Sequence, residues 1–240
     1  MRQKLLQKAG LLSLMLLATG VFLSGCIEEP NPPVLDRVTS QVRFVHAVPD
    51  GPAVDIWVDG APVATNVGFK GYSGYLTVNS GNRFLRVVPA GADSSAAIFR
   101  QLVAVRSLTK MTMAFFNSVA EVNLLITQER FTYADETSML VDSTDVKLIN
   151  LAGTGEAYSL EQKIDEQTSK ELVAPVNAGS LSAYNRVAAG TMDLFIARSN
   201  GSRAFEFNHA LSTPGYRYSF IAVGNSGGLE VLTLQDEPTN

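Results

Sequence analysis

One series of short β-type runs occurs twice in this chain, in the same order, and that repetition limits the fold more than any other feature. The first pass opens with Val42 to Ala47 (VRFVHA), turns through Pro-Asp-Gly-Pro at residues 49 to 52, and continues as Ala53 to Val58 (AVDIWV). In that second run Val54, Ile56 and Val58 share one face and Asp55 and Trp57 the other, the period of a half-buried strand. Asp59-Gly60 follows, a two-residue hairpin signal because both positions tolerate positive φ. Tyr75 to Val78, Arg83 to Val88, Met111 to Asn117 and Val122 to Thr127 complete the pass. In the second pass Val146 to Leu151 (VKLINL) answers VRFVHA, and Tyr184 to Gly190 (YNRVAAG) answers Tyr75 to Gly81 (YLTVNSG). Met192 to Ala197 and Phe84 to Val88 each run on to a turn glycine, Gly201 and Gly91. Tyr216 to Val223 parallels Lys110 to Phe116, and Glu230 to Gln235 parallels Asn123 to Gln128. Strands this short, with no long helical period, predict an all-β fold. The expected architecture is two tandem immunoglobulin-like antiparallel β-sandwich domains of about 90 residues each.

The two copies are expected at residues 41–131 and 146–238. Between them, 132–145 reads as a linker, carrying Asp135, Glu136, Asp142 and Asp145 among small residues. The second copy departs most from the first between Gly155 and Pro175. Taken alone, Ser159 to Gln162 (SLEQ) resembles a capping box opening a polar helix, with Glu166 and Lys170 paired at i, i+4. The repeat register instead makes Ala157 to Gln162 a strand, which is the reading preferred.

Ahead of both copies lies an export signal. Arg2, Lys4 and Lys8 precede an uncharged apolar run from Ala9 to Ser24, and the run ends in Leu23-Ser24-Gly25-Cys26. A basic segment, a short apolar segment and small residues describe a secretory signal peptide over residues 1–25. Its end looks like a bacterial lipobox, which implies cleavage between Gly25 and Cys26 and lipidation (palmitate or a related acyl chain) of Cys26. A thiolate is the nucleophile such chemistry needs. The run is shorter than the ~20 apolar residues of a spanning helix. Cys26 is the only cysteine, so it is no half of an intramolecular disulfide. Two or three acyl chains, at ~0.8 kcal/mol per buried methylene, would anchor the chain permanently. Residue 27 is Ile rather than the Asp that looks like an inner-membrane retention signal in enteric bacteria. That points to the outer membrane, periplasmic or surface face, or to the plasma membrane where the source has no outer one. Residues 26–40, with Pro30, Pro32 and Pro33, read as a tether in extended polyproline geometry. At ~3.1 Å per residue it reaches at most about 40 Å.

Removing residues 1 to 25 from the 240 leaves 215, enough for one or two domains. The signal holds three of the 19 Lys and Arg and none of the 23 acidic residues, so the remainder carries 16 against 23, a net charge of −7. That excludes a nucleic-acid partner, which needs a basic stripe. It suits a body held off an anionic membrane surface. With no disulfide in an exported chain, each domain must rest on its own apolar core.

The opening of the first copy, VRFVHAVPDGPAVDIWVDGAPV at residues 42 to 63, resembles the bacterial family called domain of unknown function 4397. The resemblance rests on His46-Ala47, Pro49-Asp50, Val54-Asp55 and Asp59-Gly60. It continues through Tyr75-Leu76, Gly81, Arg86-Val87 and Pro89-Ala90-Gly91. Copy two departs from it: Asn150 stands where His46 does, and the Pro-Asp and Val-Asp signatures are missing. The resemblance implies an exported, often lipid-anchored, tandem β-sandwich protein, and it brings no catalytic residues.

Candidate chemistry is sparse. The chain has two histidines, His46 and His209, and no metal-ligand spacing of the common kinds. Gly71-Tyr-Ser73-Gly74 falls one residue short of a nucleophile elbow. The one polar constellation is His46, Asp50 and Asp55. An imidazole with two carboxylates would suit a cation or a general base. The structural reading is favoured: His46 falls on the core-facing row with Phe44 and needs a partner there, while Asp50 is placed to cap its own turn. Trp57, Tyr72 and Tyr75 are the aromatic candidates for stacking sugar rings, against the favoured reading that they form cross-strand pairs or cover a core edge. No cofactor, metal or catalytic residue is assigned. The expected role is a non-catalytic, lipid-anchored envelope protein that binds or spaces, with an envelope protein or glycan as partner. A carbohydrate-binding module is the alternative, and an envelope hydrolase comes third.

Overall fold

In a computed structural model, residues 38–129, 142–211, 215–225 and 227–236 are described. The signal peptide, Gly25 and Cys26, the tether up to residue 37 and most of the linker lie outside them. The first copy supplies β1 (Thr39–Ala47), β2 (Val54–Val58), β3 (Ala61–Val67), β4 (Leu76–Asn79), β5 (Gly81–Pro89), β6 (Phe99–Val105), β7 (Lys110–Ser118) and β8 (Glu121–Glu129). The second supplies β9 (Ser143–Asn150), β10 (Tyr158–Lys163), β11 (Ser169–Val176), β12 (Ser180–Leu181) and β13 (Asn185–Ala188). It closes with β14 (Gly190–Arg198), β15 (Arg203–Leu211), β16 (Arg217–Asn225) and β17 (Gly228–Asp236). Ser159 to Gln162 therefore lies in a strand, as the repeat register requires.

Each copy builds one sheet in the order β3-β2-β5-β6 or β11-β10-β14-β15, and another in the order β4-β1-β7-β8 or β12-β9-β16-β17, with β13 also on β9. The order is the same in both. Gly81 and Gly190 open β5 and β14 with φ of 95° and 146°, a region that excludes most side chains. The sandwiches are not wholly antiparallel. β1 runs parallel to β7, and β9 parallel to β16. Parallel neighbours need a long crossover, and here the opposite sheet supplies it.

Alternation along β1 places its two faces in two different layers of packing. Val42 and Phe44 enter the first core, with Ile56, Leu85, Val87, Met113 and Phe115. The second core gathers Leu148, Tyr158, Leu160, Leu194, Ile196 and Phe220. Val45 and Ala47, on the other face of β1, enter a third cluster with Ala114 of β7 and with Ile149, Leu151, Ile221, Val223 and Leu234 of the second copy. The β1-containing and β9-containing sheets are thus covered on both faces and pack on each other, giving a stack of four sheets. Residues Arg37–Asn240 form one compact unit.

Two expected boundaries move. Thr39 and Ser40, placed in the tether, pair with Asn79 and Val78. Asp145, placed in the linker, is a β9 residue whose register neighbours Arg186 and Arg217 reach its two carboxylate oxygens at 3.4 and 3.3 Å.

Candidate functional site

His46 sits in the first core, 1 % exposed. Its Nδ1 accepts the Val48 N–H at 3.2 Å, so the proton is on Nε2, which donates to the Pro52 carbonyl at 2.8 Å. Burial holds its pKa below the ordinary value, against a smaller upward effect of the Pro52 bond. The second copy repeats this arrangement without an imidazole. Asn150 Oδ1 accepts the Ala152 N–H at 3.2 Å, and Nδ2 donates to the Glu156 carbonyl at 2.8 Å. In both copies the side chain at i ties the amide at i+2 to the carbonyl at i+6, closing the corner that carries the chain from one sheet to the other.

The two carboxylates are placed apart from the imidazole and from each other in function. Asp50 accepts the Val119 N–H at 3.0 Å, so it fastens the corner to the β7–β8 turn rather than capping its own turn. Asp55, on the outward face of β2, accepts from Asn66 N–H at 2.8 Å and Gly91 N–H at 3.0 Å. Among the described residues no group of three or more His, Cys, Asp or Glu gathers to hold a metal. Ser73 is likewise engaged: its Oγ accepts the Phe44 N–H at 2.9 Å, as Ser182 Oγ accepts the Leu148 N–H at 3.0 Å. These serines hold the open edge of β1 and β9.

Nor do the three aromatic residues share a surface. Trp57 is half-buried on the outward face of β2, between Pro62 and Arg86 in register, with its indole N–H buried and without a partner among the described residues. Tyr72 is half-exposed beside Val45. Tyr75 lies between the copies, where its hydroxyl donates to Asp236 at 2.8 Å and the Arg43 guanidinium lies 4.7 Å from its ring centre.

That last contact belongs to a polar centre that the pattern of residues did not announce. Arg43 Nη1 meets Asp236 at 3.0 Å, with the two side chains 5 % and 1 % exposed, and Nη2 also donates to Thr112 Oγ1 at 3.0 Å. Arg43 belongs to copy one and Asp236 to copy two. At the position equivalent to Arg43, Lys147 reaches the other way, donating to Thr127 of copy one at 3.2 Å and lying 4.6 Å from the Tyr184 ring centre. The available signal was the bilateral apolar character of β1 and β16, which is the mark of strands covered on both faces.

At the far end of the second sandwich a cavity of about 330 Å³ opens between the corner after β9 and the β16–β17 turn. Tyr158, itself buried, donates its hydroxyl proton to Glu156 at 2.9 Å; the 2.9 Å approach of Thr154 Oγ1 must then be a bond donated by the threonine. Arg198 completes the group, 3.3 Å from the same Glu156 oxygen. Burial is the largest influence on the Tyr158 pKa and raises it; the Thr154 bond opposes, Glu156 adds to the rise and Arg198 offsets it slightly, so the phenol stays a donor.

A repeated β-sandwich whose polar side chains close on its own backbone is the class these observations define. Residues 40–158 match the family described as Domain of unknown function (DUF4397), and the chain belongs to that family. No curated protein sequence matches the chain. Among solved structures, it is similar to a candidate cell adhesion protein from Bacteroides uniformis (13 % identity, 87 % of this chain and 100 % of the other, TM-score 0.28). It is also similar to a family 26 carbohydrate-binding module of Eubacterium rectale Amy13K, solved with maltoheptaose (11 %, 83 % and 98 %, TM-score 0.27). A third is the tip fimbrial protein Mfa3 of Porphyromonas gingivalis (9 %, 83 % and 99 %, TM-score 0.30). Likeness at this level transfers no residue role.

Proposed function

We propose that this protein is a non-catalytic body of the bacterial envelope, lipid-anchored through Cys26, carried on the Pro-rich tether and built to bind or to space. One observation carries the non-catalytic reading: the imidazole, the carboxylates and the serine that a catalyst would use in copy one are each bonded to main-chain groups of the fold. A general base must be free to reach a substrate proton, and the His46 ring has both nitrogens engaged in the core. The anchoring reading rests on the signal pattern ending at Gly25 and Cys26. Its test is Cys26→Ser, expected to accumulate as an uncleaved precursor that takes up no labelled palmitate. Normal maturation and membrane retention of that variant would refute it.

Binding to an envelope glycan is the second reading. What favours it is the open polar cavity of copy two. A glycan array probed with residues 27–240, alongside capture from envelope extract, separates glycan from protein partners.

A further inference from the structure

The two copies have the same strand order, so the differences between equivalent positions show what the second has been altered to do. In register, Val54 pairs with Pro89 in copy one, and Tyr158 pairs with Arg198 at the same place in copy two. Counting from His46 and Asn150, Pro52 corresponds to Glu156 and Asp50 to Thr154. Every one of these positions in copy one is either apolar or, as Asp50, committed to clipping the corner to the next turn. In copy two each is a hydrogen-bonding side chain, and Thr154 turns to Tyr158 and to the Glu156 N–H instead of crossing to the turn. The turn itself changes too: the pair Ser118 and Glu121 of copy one becomes Asn225 and Gly228, with Asn225 Oδ1 held by the Gly227 N–H. Side-chain bulk leaves the turn as polar groups enter the corner, and the cavity lies between them.

We infer that this cavity at the end of the second copy is a binding site for a small neutral polyol, of the size and chemistry of one sugar unit. Its volume is at the small end of those that hold ligands. Ala204 and Leu229 give it apolar wall, and its polar lining offers both hands of the hydrogen bond. Arg198 donates and Glu156 accepts, while the Tyr158 and Thr154 hydroxyls, whose protons go to Glu156 and to Tyr158, present lone pairs that accept. Vicinal hydroxyls match a carboxylate beside a guanidinium, because each hydroxyl donates to one and accepts from the other. The charges argue for neutrality: Glu156 and Arg198 already balance, so an anion or cation would have to break the pair to gain a partner. Both side chains remain partly open, 48 % and 37 % exposed, so a ligand can reach them without unfolding the corner.

This inference deepens the glycan-binding reading and rests on it. The test is backbone amide NMR of residues 27–240 titrated with glycerol, with glucose, and with methyl glucoside, whose blocked anomeric oxygen mimics a sugar held in a glycan. Acetate and phosphate are the charged controls. Shifts confined to residues 154–158, 198 and 227–229, produced by a neutral polyol and not by either anion, are expected. Response to methyl glucoside would assign a glycan-borne sugar, and response to glycerol or glucose alone a free polyol. Glu156→Gln and Arg198→Lys should each weaken binding about tenfold, the loss of one charge-assisted bond, with unchanged melting temperatures showing the fold intact. Sugar-induced shifts elsewhere, for example around Trp57 or Tyr72, would overturn this site and leave glycan binding standing. Shifts caused by the anions alone would overturn the neutral-ligand assignment. No response to any sugar at high millimolar concentration would overturn both.

Discussion

Replacing His46 should reveal whether it is a structural clamp, because the second copy has already performed the informative substitution. His46→Ala removes the acceptor of the Val48 N–H and the donor to the Pro52 carbonyl together. Each orphaned buried group costs about 1–3 kcal/mol. The lost ring also leaves space beside Phe69, whose ring centre lies 6.4 Å away, so the total should be about 3–5 kcal/mol. His46→Asn keeps one acceptor and one donor at the i+2 and i+6 positions that Asn150 serves at 3.2 and 2.8 Å. Its cost should stay below about 1.5 kcal/mol, that of imperfect filling. For a body of this size each kcal/mol moves Tm by roughly 2–4 °C, so thermal melts of residues 27–240 separate the two variants. The reverse exchange should be worse. Asn150 donates a second bond, to the Val176 carbonyl at 2.9 Å, which a neutral imidazole has no second proton to make; Asn150→His should cost about 1–3 kcal/mol. Equal losses for His46→Asn and His46→Ala, or a tolerated alanine, would refute the clamp.

Two further outcomes follow from the same geometry. Because burial lowers the pKa of both His46 and His209, the unfolded chain binds protons that the folded one refuses. Stability should therefore be full above the unfolded value near pH ~6.5 and fall as pH drops below it; His46→Asn should flatten that slope in part, and equal slopes with and without His46 would contradict it. Breaking the buried Arg43–Asp236 pair with Asp236→Ala should cost about 3–5 kcal/mol by leaving a buried guanidinium unpaired. The triple change Arg43→Leu, Asp236→Leu, Tyr75→Phe should recover most of it in chemical denaturation, and a triple variant as weak as the single one would count against that accounting.

Much of this fold could be read from local pattern, because a strand shows its faces in two-residue steps. AVDIWV declared its buried row, and the spacing from Tyr75 to Gly81 matched that from Tyr184 to Gly190 because both pairs mark the entry to an edge strand and the start of the next one. The direction of β1 against β7 could not be read, since it depends on a partner some 70 residues away. The third core was hidden for a related reason. Val45, Ala47, Ile149 and Ile221 look like ordinary strand residues until the parity of β1 and β16 is taken on both faces. Asp50 was legible as a corner residue but not as a clip to Val119, which is distant in sequence. The cavity of copy two lies in the segment that departs most from its sibling, so the divergence from Gly155 onward was visible while its chemistry was not.

The two copies form one welded body. Separating them would expose Val45, Ile149, Leu151, Ile221, Val223 and Leu234, all buried now. At about 1.5–3 kcal/mol per side chain that is on the order of 10 kcal/mol, an upper estimate that already rivals the stability of a whole domain. Scanning calorimetry of residues 27–240 tests this directly. One transition is expected, with calorimetric and van't Hoff enthalpies in agreement, and Asp236→Ala should shift all of it although the residue lies in copy two. Two resolved transitions, with the first copy melting unchanged in that variant, would contradict the account.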